Sequence, residues 1–288
     1  MIALLLTFLS MGAAHAQSDA WKESVDEDCW STAESMQKDI AAGSGSYNEQ
    51  DQQDFLLNYF ALATTLSPLH SAVPLEGGQG SIGLELDFIP ALGCHRRLVL
   101  NATKTEDTNK APIAPRPRVL FQFKDLGPFK IYAGLSYVPP VTVFGTRNVI
   151  IGGEAGFGLQ YDDGFEWGMR YHATLMKTIA EIATPFNKED PTELDFYMGS
   201  TFGLDLIAGY DIQKIEGLKP YLSVGFTDVS TFFYIGDDAV VTNNANPYAS
   251  LVTSLGAQYS LDRLEFAGEF YAAPGIIYTG RVRMGIKL

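Results

Sequence analysis

The chain has 288 residues, 46% of them hydrophobic, with 34 acidic side chains against 20 basic and a formal net charge of −14. An acidic excess of this size argues against nucleic acid as a partner. After residue 16 no continuous apolar stretch is long enough to cross a bilayer as a helix, so helical membrane spans are excluded.

Residues 1–16 read as a secretory signal. Ile2 to Leu9 is an apolar run, and Ala14-His15-Ala16 is a small-x-small cleavage site before Gln17. No Lys or Arg precedes the run, which leaves the true start codon open. Export changes the meaning of the two cysteines, Cys29 and Cys94. In an oxidising compartment such a pair can bridge, and here it would tie the N-terminal segment to the turn after the first strand; two unrelated thiols is the alternative. No Cys/His spacing resembles a metal site, and no cofactor is implied.

Residues 17–80 read as an acidic helical segment. Ten acids (Asp19, Glu23, Asp26, Glu27, Asp28, Glu34, Asp39, Glu49, Asp51, Asp54) face only Lys22 and Lys38 before residue 55. Trp21, Val25, Cys29, Ala33, Met36 and Ile40 recur at helical spacing, and Gly43 can end that helix. Ser46-Tyr47-Asn48-Glu49 has the form of a capping box. The helix it starts is expected over 50–66, with Phe55, Leu56, Tyr59 and Phe60 on an apolar face, and should stop at Ser67-Pro68. That face needs a partner, and packing in or against a barrel mouth as a plug would supply one.

From Ser81 onward the period changes to two. Ile82, Leu84, Leu86 and Phe88 alternate with Gly83, Glu85 and Asp87, and comparable alternation runs through 129–137, 149–161, 165–175, 202–210, 251–259 and 264–270. Further strands fit 115–123 and 218–235, while Pro112 to Pro117 reads as an extended loop. The last eleven residues place Tyr278, Gly280, Val282, Met284, Ile286 and Leu288 on one face, with Thr279, Arg281, Arg283, Gly285 and Lys287 on the other. One face is apolar and the other cationic, so the strand needs two solvents. Lipid outside and a wet lumen inside supply them.

The strands exceed the usual five or six residues and suit the roughly 9–11 of a tilted membrane strand. Short connections (124–128, 161–164, 213–219, 260–263) alternate with longer ones (139–147, 177–193, 236–247). Phe123, Phe129, Tyr161, Phe165, Tyr210, Tyr221 and Tyr259 crowd the short turns, as in an interfacial girdle.

Together these features resemble the bacterial outer-membrane β-barrel class over 81–288. The resemblance implies a transmembrane antiparallel up-and-down barrel of about 10–12 strands, twelve favoured, preceded by a short helical segment. It implies a Gram-negative outer membrane after signal cleavage, lipid around the barrel, and an assembly machinery that reads the C-terminal strand. Leu288 stands where such chains usually end in an aromatic residue. An N-terminal helical segment ahead of a barrel also resembles the long-chain fatty-acid transporters, without a diagnostic motif of that family.

The lumen face then carries Glu85, Glu154, Glu166, Arg170, His172, Asp205, Glu265, Glu269, Arg281, Arg283 and Lys287. Side chains of both signs can pair across a small barrel and fill it, or line a conduction path. The first functional expectation is a pore or transporter-like barrel for a small solute, a hydrophobic one included. A structural or surface-interaction barrel with a filled lumen is the second, and a soluble secreted β-barrel binding a ligand inside is the third. No enzyme is expected: there is no G-x-S-x-G elbow, and a lipid-modifying activity would have to rest on His172, the one histidine of His70, His95 and His172 in a clear strand.

Overall fold

The computed structural model describes residues 20–44, 47–106, 112–143, 146–180, 195–235 and 240–288. The expected signal at 1–16, Ser46 of the capping box, and most of the 177–193 connection lie outside them.

Helix α1 spans Trp30–Ala42 and ends on Gly43, whose φ of 62° is the left-handed cap that glycine favours. The sequence periodicity began at Trp21, but Ala20–Glu23 and Glu27–Cys29 are short 3-10 turns. Between them Asp26 is extended: its N–H donates to Thr105 Oγ1, and its carboxylate pairs with Arg97. Those bonds hold Asp26 out of a helix. Helix α2 spans Glu49–Ala63, with Asn48 as its N-cap accepting from the Gln50 N–H at 3.0 Å. It ends three residues before the expected 66, because its last carbonyls and those that follow are claimed by side chains of the barrel wall.

Among the described residues ten strands close into an antiparallel barrel. They are β1 (Gly80–Phe88), β2 (Ile113–Gln122), β3 (Lys130–Val143), β4 (Thr146–Gln160), β5 (Phe165–Ala180), β6 (Asp195–Tyr210), β7 (Leu218–Ile235), β8 (Ala249–Leu261), β9 (Leu264–Ala273) and β10 (Ile277–Lys287). Each pairs with its sequence neighbours, and β10 returns to β1 through Ser81↔Lys287 to Asp87↔Arg281. The count is therefore ten rather than the favoured twelve. Residues 218–235 form one 18-residue strand, and the ladder Leu98–Val99 with Lys104–Thr105 lies apart from the barrel sheet.

Three connections also differ from expectation. Residues 112–117 are mostly strand, since β2 begins at Ile113. The 139–147 link is largely the ends of β3 and β4. Within 236–247, Val240–Asn243 pairs back onto the top of β7.

Alternation decides the two faces of the wall. Leu135 is 69% exposed and its neighbour Ser136 is 3% exposed. The outer face is apolar all round, through Ile82, Leu84, Val119, Ile151, Leu175, Leu206, Phe226, Leu255, Phe270 and Met284. So wide an exposed apolar surface is not left to water. Toward the short turns the aromatics touch one another, with ring centroids 5.7 Å apart for Phe129–Phe157 and 6.3 Å for Phe157–Trp167. Tyr221, counted with this girdle from sequence, faces the interior and donates to Glu269.

The barrel has two unlike ends. The turns at 123–129, 161–164, 211–217 and 262–263 lie at one end with Gly80 and Leu288, while the three-residue turn between β9 and β10 lies at the other. The 89–112 loop and the start of β8 lie at the other, which we call the mouth. Helix α2 sits at the mouth, packing Phe55, Leu56, Tyr59 and Leu62 against Val229, Tyr248, Val252, Tyr271 and Ile277. Cys29 and Cys94 form a disulfide with Cα atoms 5.4 Å apart, which joins the 3-10 turn leading into α1 to the four-residue helix α3 (Cys94–Arg97) of the 89–112 loop.

Candidate functional site

The chain must travel from α2 at the mouth to β1 at the turn end. Residues 64–75 make that journey through the lumen. A strand ladder cannot satisfy this segment's backbone, so wall side chains do. Arg116 donates to the carbonyls of Thr64 (2.7 Å) and Thr65, and Arg281 to those of Leu62 (3.0 Å) and Thr65 (2.6 Å). Arg170 reaches the Leu66 carbonyl at 2.9 Å; Arg118 spans those of Ser67 and Pro68. The segment's amides donate in turn. Leu66 bonds Thr174, Leu69 bonds Glu269, Ser71 bonds Gln258, Val73 bonds Glu166 and Leu75 bonds Gln122, all at 3.0–3.2 Å. The guanidinium fork suits paired carbonyls. Leu69 sits at φ 48°, a left-handed conformation held by the Glu269 bond.

Space is reserved for the segment as well as bonds. A Cβ built on Gly158 would fall 2.3 Å from the Ala72 carbonyl oxygen, and one on Gly209 would fall 2.2 Å from Ser71 Oγ.

The same arginines are locked to acids. Glu154 accepts from Arg118 (2.6 Å), Arg170 (2.6 Å) and His70 (3.3 Å). Arg170 continues to Asp205 at 2.5 Å; Arg116 pairs with Glu85 and with Asp87 at 3.0 Å. Arg283 faces Glu265 at 3.5 Å, and Lys219 faces Glu166 at 2.7 Å. Most of the buried ions are thus paired with one of opposite sign, while Glu269 is held by the Leu69 amide and the Tyr221 hydroxyl.

Ten of the eleven residues read from sequence as inward-facing are buried in this interior, Glu85, Glu154, Glu166, Arg170, His172, Asp205, Glu265, Glu269, Arg281 and Arg283; Lys287, at the turn end, is half-buried. Glu154, Arg170, Asp205 and His172 share one cluster, and Glu265 pairs with Arg283. His172 Nε2 is 3.6 Å from Asp205 and its Nδ1 has no partner; among the described residues no serine hydroxyl is bonded to it. Of the apolar helix residues, Phe55, Leu56 and Tyr59 are buried at the mouth and Phe60 is partly so. Burial pushes the Tyr59 phenol up to about 12, so it stays a donor, to the Pro90 carbonyl.

Arg116 and Arg118 were missed from sequence, although their spacing of two on one strand face was a signal. Asp54 and Asn58 were missed too. Asp54 accepts from the amides of Ala245 (2.8 Å) and Asn246 (3.0 Å), and Asn58 accepts from that of Tyr248 (2.9 Å), which fastens α2 to the mouth.

A closed even-stranded wall, apolar outside and charged inside, decides the architecture. It is that of a bacterial outer-membrane β-barrel. No family model and no curated protein sequence matches the chain. Among solved structures it is similar to the translocator domain of the autotransporter NalP from Neisseria meningitidis, at TM-score 0.41 and 10% identity over 74% of this chain and 88% of that one. The β domain of the Bordetella autotransporter BrkA gives TM-score 0.40 and 10% identity over 74% and 99%. The Pseudomonas putida toluene transporter TodX gives 0.36 and 12% over 81% and 70%. Likeness at this level carries no functional argument.

Proposed function

We propose that the chain is an outer-membrane barrel, closed by its own residues 64–75, that holds a disulfide-braced helical cap at its extracellular mouth. The observation that carries this reading is the backbone of 64–75, bonded to wall side chains along the lumen. Short turns in such barrels face the periplasm. With that orientation α1 and α2 stand outside the cell and the chain crosses the lumen once. The filled-lumen reading thus gains over the open pore, because any axial flux needs the segment to move. Lipid covers the apolar belt, and the assembly machinery would read β10. The 17–80 segment serves as cap and plug, and 81–288 as the barrel, after removal of the signal.

The test is expression in a Gram-negative host with an epitope inserted before Trp21. We expect the protein in the outer-membrane fraction, with a band that shifts on boiling, and the epitope bound by antibody on intact cells. A soluble protein with no shift, or an epitope reached only after permeabilisation, would contradict the reading.

A further inference from the structure

An extended chain alone in a lumen has neither helix nor ladder for its backbone, and the wall makes up that lack group by group. Seven carbonyls between Thr64 and Pro74 accept from wall side chains. Thr64, Thr65, Leu66, Ser67 and Pro68 are held by the four arginines, Val73 by Lys219 Nζ at 3.1 Å and Pro74 by Gln258 Nε2 at 2.8 Å. Five amides donate to the wall, and from Leu69 onward they do so at every second residue: 69, 71, 73 and 75. A period of two is how an extended strand turns its N–H groups toward one neighbour. Gln258 imitates such a neighbour with its carboxamide, accepting from the Ser71 amide at 3.1 Å while donating to the Pro74 carbonyl. Gly158 clears space for the main chain itself, since a Cβ there would meet the carbonyl of Ala72.

The segment's side chains are held far less. Among the described residues three of them bond to the wall: Thr65 to Thr201, His70 to Glu154 and Ser71 to Glu166. Others meet apolar surface, Ala72 against Ile207 and Tyr221, and Leu75 against Leu120 and Tyr132. Apolar contact is non-directional and tolerates another side chain of similar volume. Carbonyls belong to every residue, and amide N–H groups to every residue except proline. The segment's own prolines, Pro68 and Pro74, stand at even positions, between the amides that the wall uses.

We infer that the lumen is a receptor for extended polypeptide, recognised through its main chain, and that residues 64–75 are the resident ligand. This rests on the plug reading above and names what the plug site takes. The ligand class is a peptide strand of unrelated sequence that carries N–H groups at the positions of 69, 71, 73 and 75. A proline at one of these leaves a buried carboxylate or carboxamide oxygen of the wall without its donor, and an unmade buried bond is costly.

Two full-length chains of identical composition separate main-chain from side-chain recognition. In the first, side chains trade places while both prolines stay: Leu66→His with His70→Leu, Leu69→Ser with Ser71→Leu, and Ala72→Val with Val73→Ala. In the second, the prolines move onto donor positions: Pro68→Ser with Ser71→Pro, and Val73→Pro with Pro74→Val. Each is compared with the unaltered chain in planar bilayers, and the boiling shift of the same sample reports folding. We expect the first chain to hold a closed baseline and the second to lose it. The wall variant Gln122→Leu/Gln258→Leu, which leaves the segment untouched, should lose it too, and it decides alone if the second chain gives no boiling shift. A first chain that conducts, or that does not fold, would mean that the lumen selects side chains, and overturns the receptor. A second chain or a wall variant that folds and stays closed overturns it as well. An unaltered chain that conducts goes against the plug reading itself, and the receptor falls with it.

Discussion

Deletion of residues 20–75, with the preceding residues kept, should turn a silent barrel into a conducting one. In planar bilayers the full chain is expected to hold a closed baseline, and the deleted chain to carry steady current. The lumen wall left behind presents Arg116, Arg118, Arg170, Arg281, Glu85, Glu154, Glu166 and Glu269, which water and ions would solvate once the segment is gone. The inter-strand ladder does not depend on the segment, so the boiling shift should persist and serves as the folding control. Conductance of the full chain equal to that of the deleted chain would count against a plug.

The second large effect is expected at Glu154. Its carboxylate is the meeting point of Arg118, Arg170 and His70, all fully buried. Glu154→Gln keeps the shape and removes the charge, leaving Arg118 with Glu85 alone and Arg170 with Asp205 alone. Removing one partner of a buried pair costs about 3–5 kcal/mol. The cost should appear as a lowered urea midpoint of the folded, unboiled band. The pair Lys38–Glu34 has a similar separation, 2.9 Å, but side chains 73% and 61% exposed. Glu34→Gln should cost no more than about 0.5 kcal/mol. Distance alone does not set the magnitude; burial does. Equal midpoints for the two variants would mean that the lumen around Glu154 is open to water.

Much of the wall was legible because a barrel strand has two solvents. Glu166, Arg170 and His172 alternate with Trp167, Met169 and Tyr171, and that period fixes which side chains meet inside. The strand count was less legible. Residues 218–235 are long enough for two ordinary strands, and nothing in their alternation marks that they run as one. The lumen segment was not legible. Thr64 to Leu75 has no period, because its backbone bonds to side chains of six different strands rather than to a neighbouring ladder, and no local pattern encodes that. Its signature lay elsewhere, in Arg116 and Arg118 two apart and in the inward glycines Gly158 and Gly209. The proline run 112–117 was misread for a related reason. Proline usually signals a loop, and here it marks the edge of a strand whose neighbour has pulled away.

One measurement tests most directly that the barrel encloses its own N-terminal segment. Thr65 Oγ1 on the segment lies 2.8 Å from Thr201 Oγ1 on β6, inside the wall. In a Thr65→Cys/Thr201→Cys protein, isolated in outer membranes without reductant, the two new thiols should join. Digestion should then give one linked peptide pair besides the native Cys29–Cys94 pair. Free thiols at both positions, in a protein that still shifts on boiling, would mean that the barrel forms without residues 64–75 inside it.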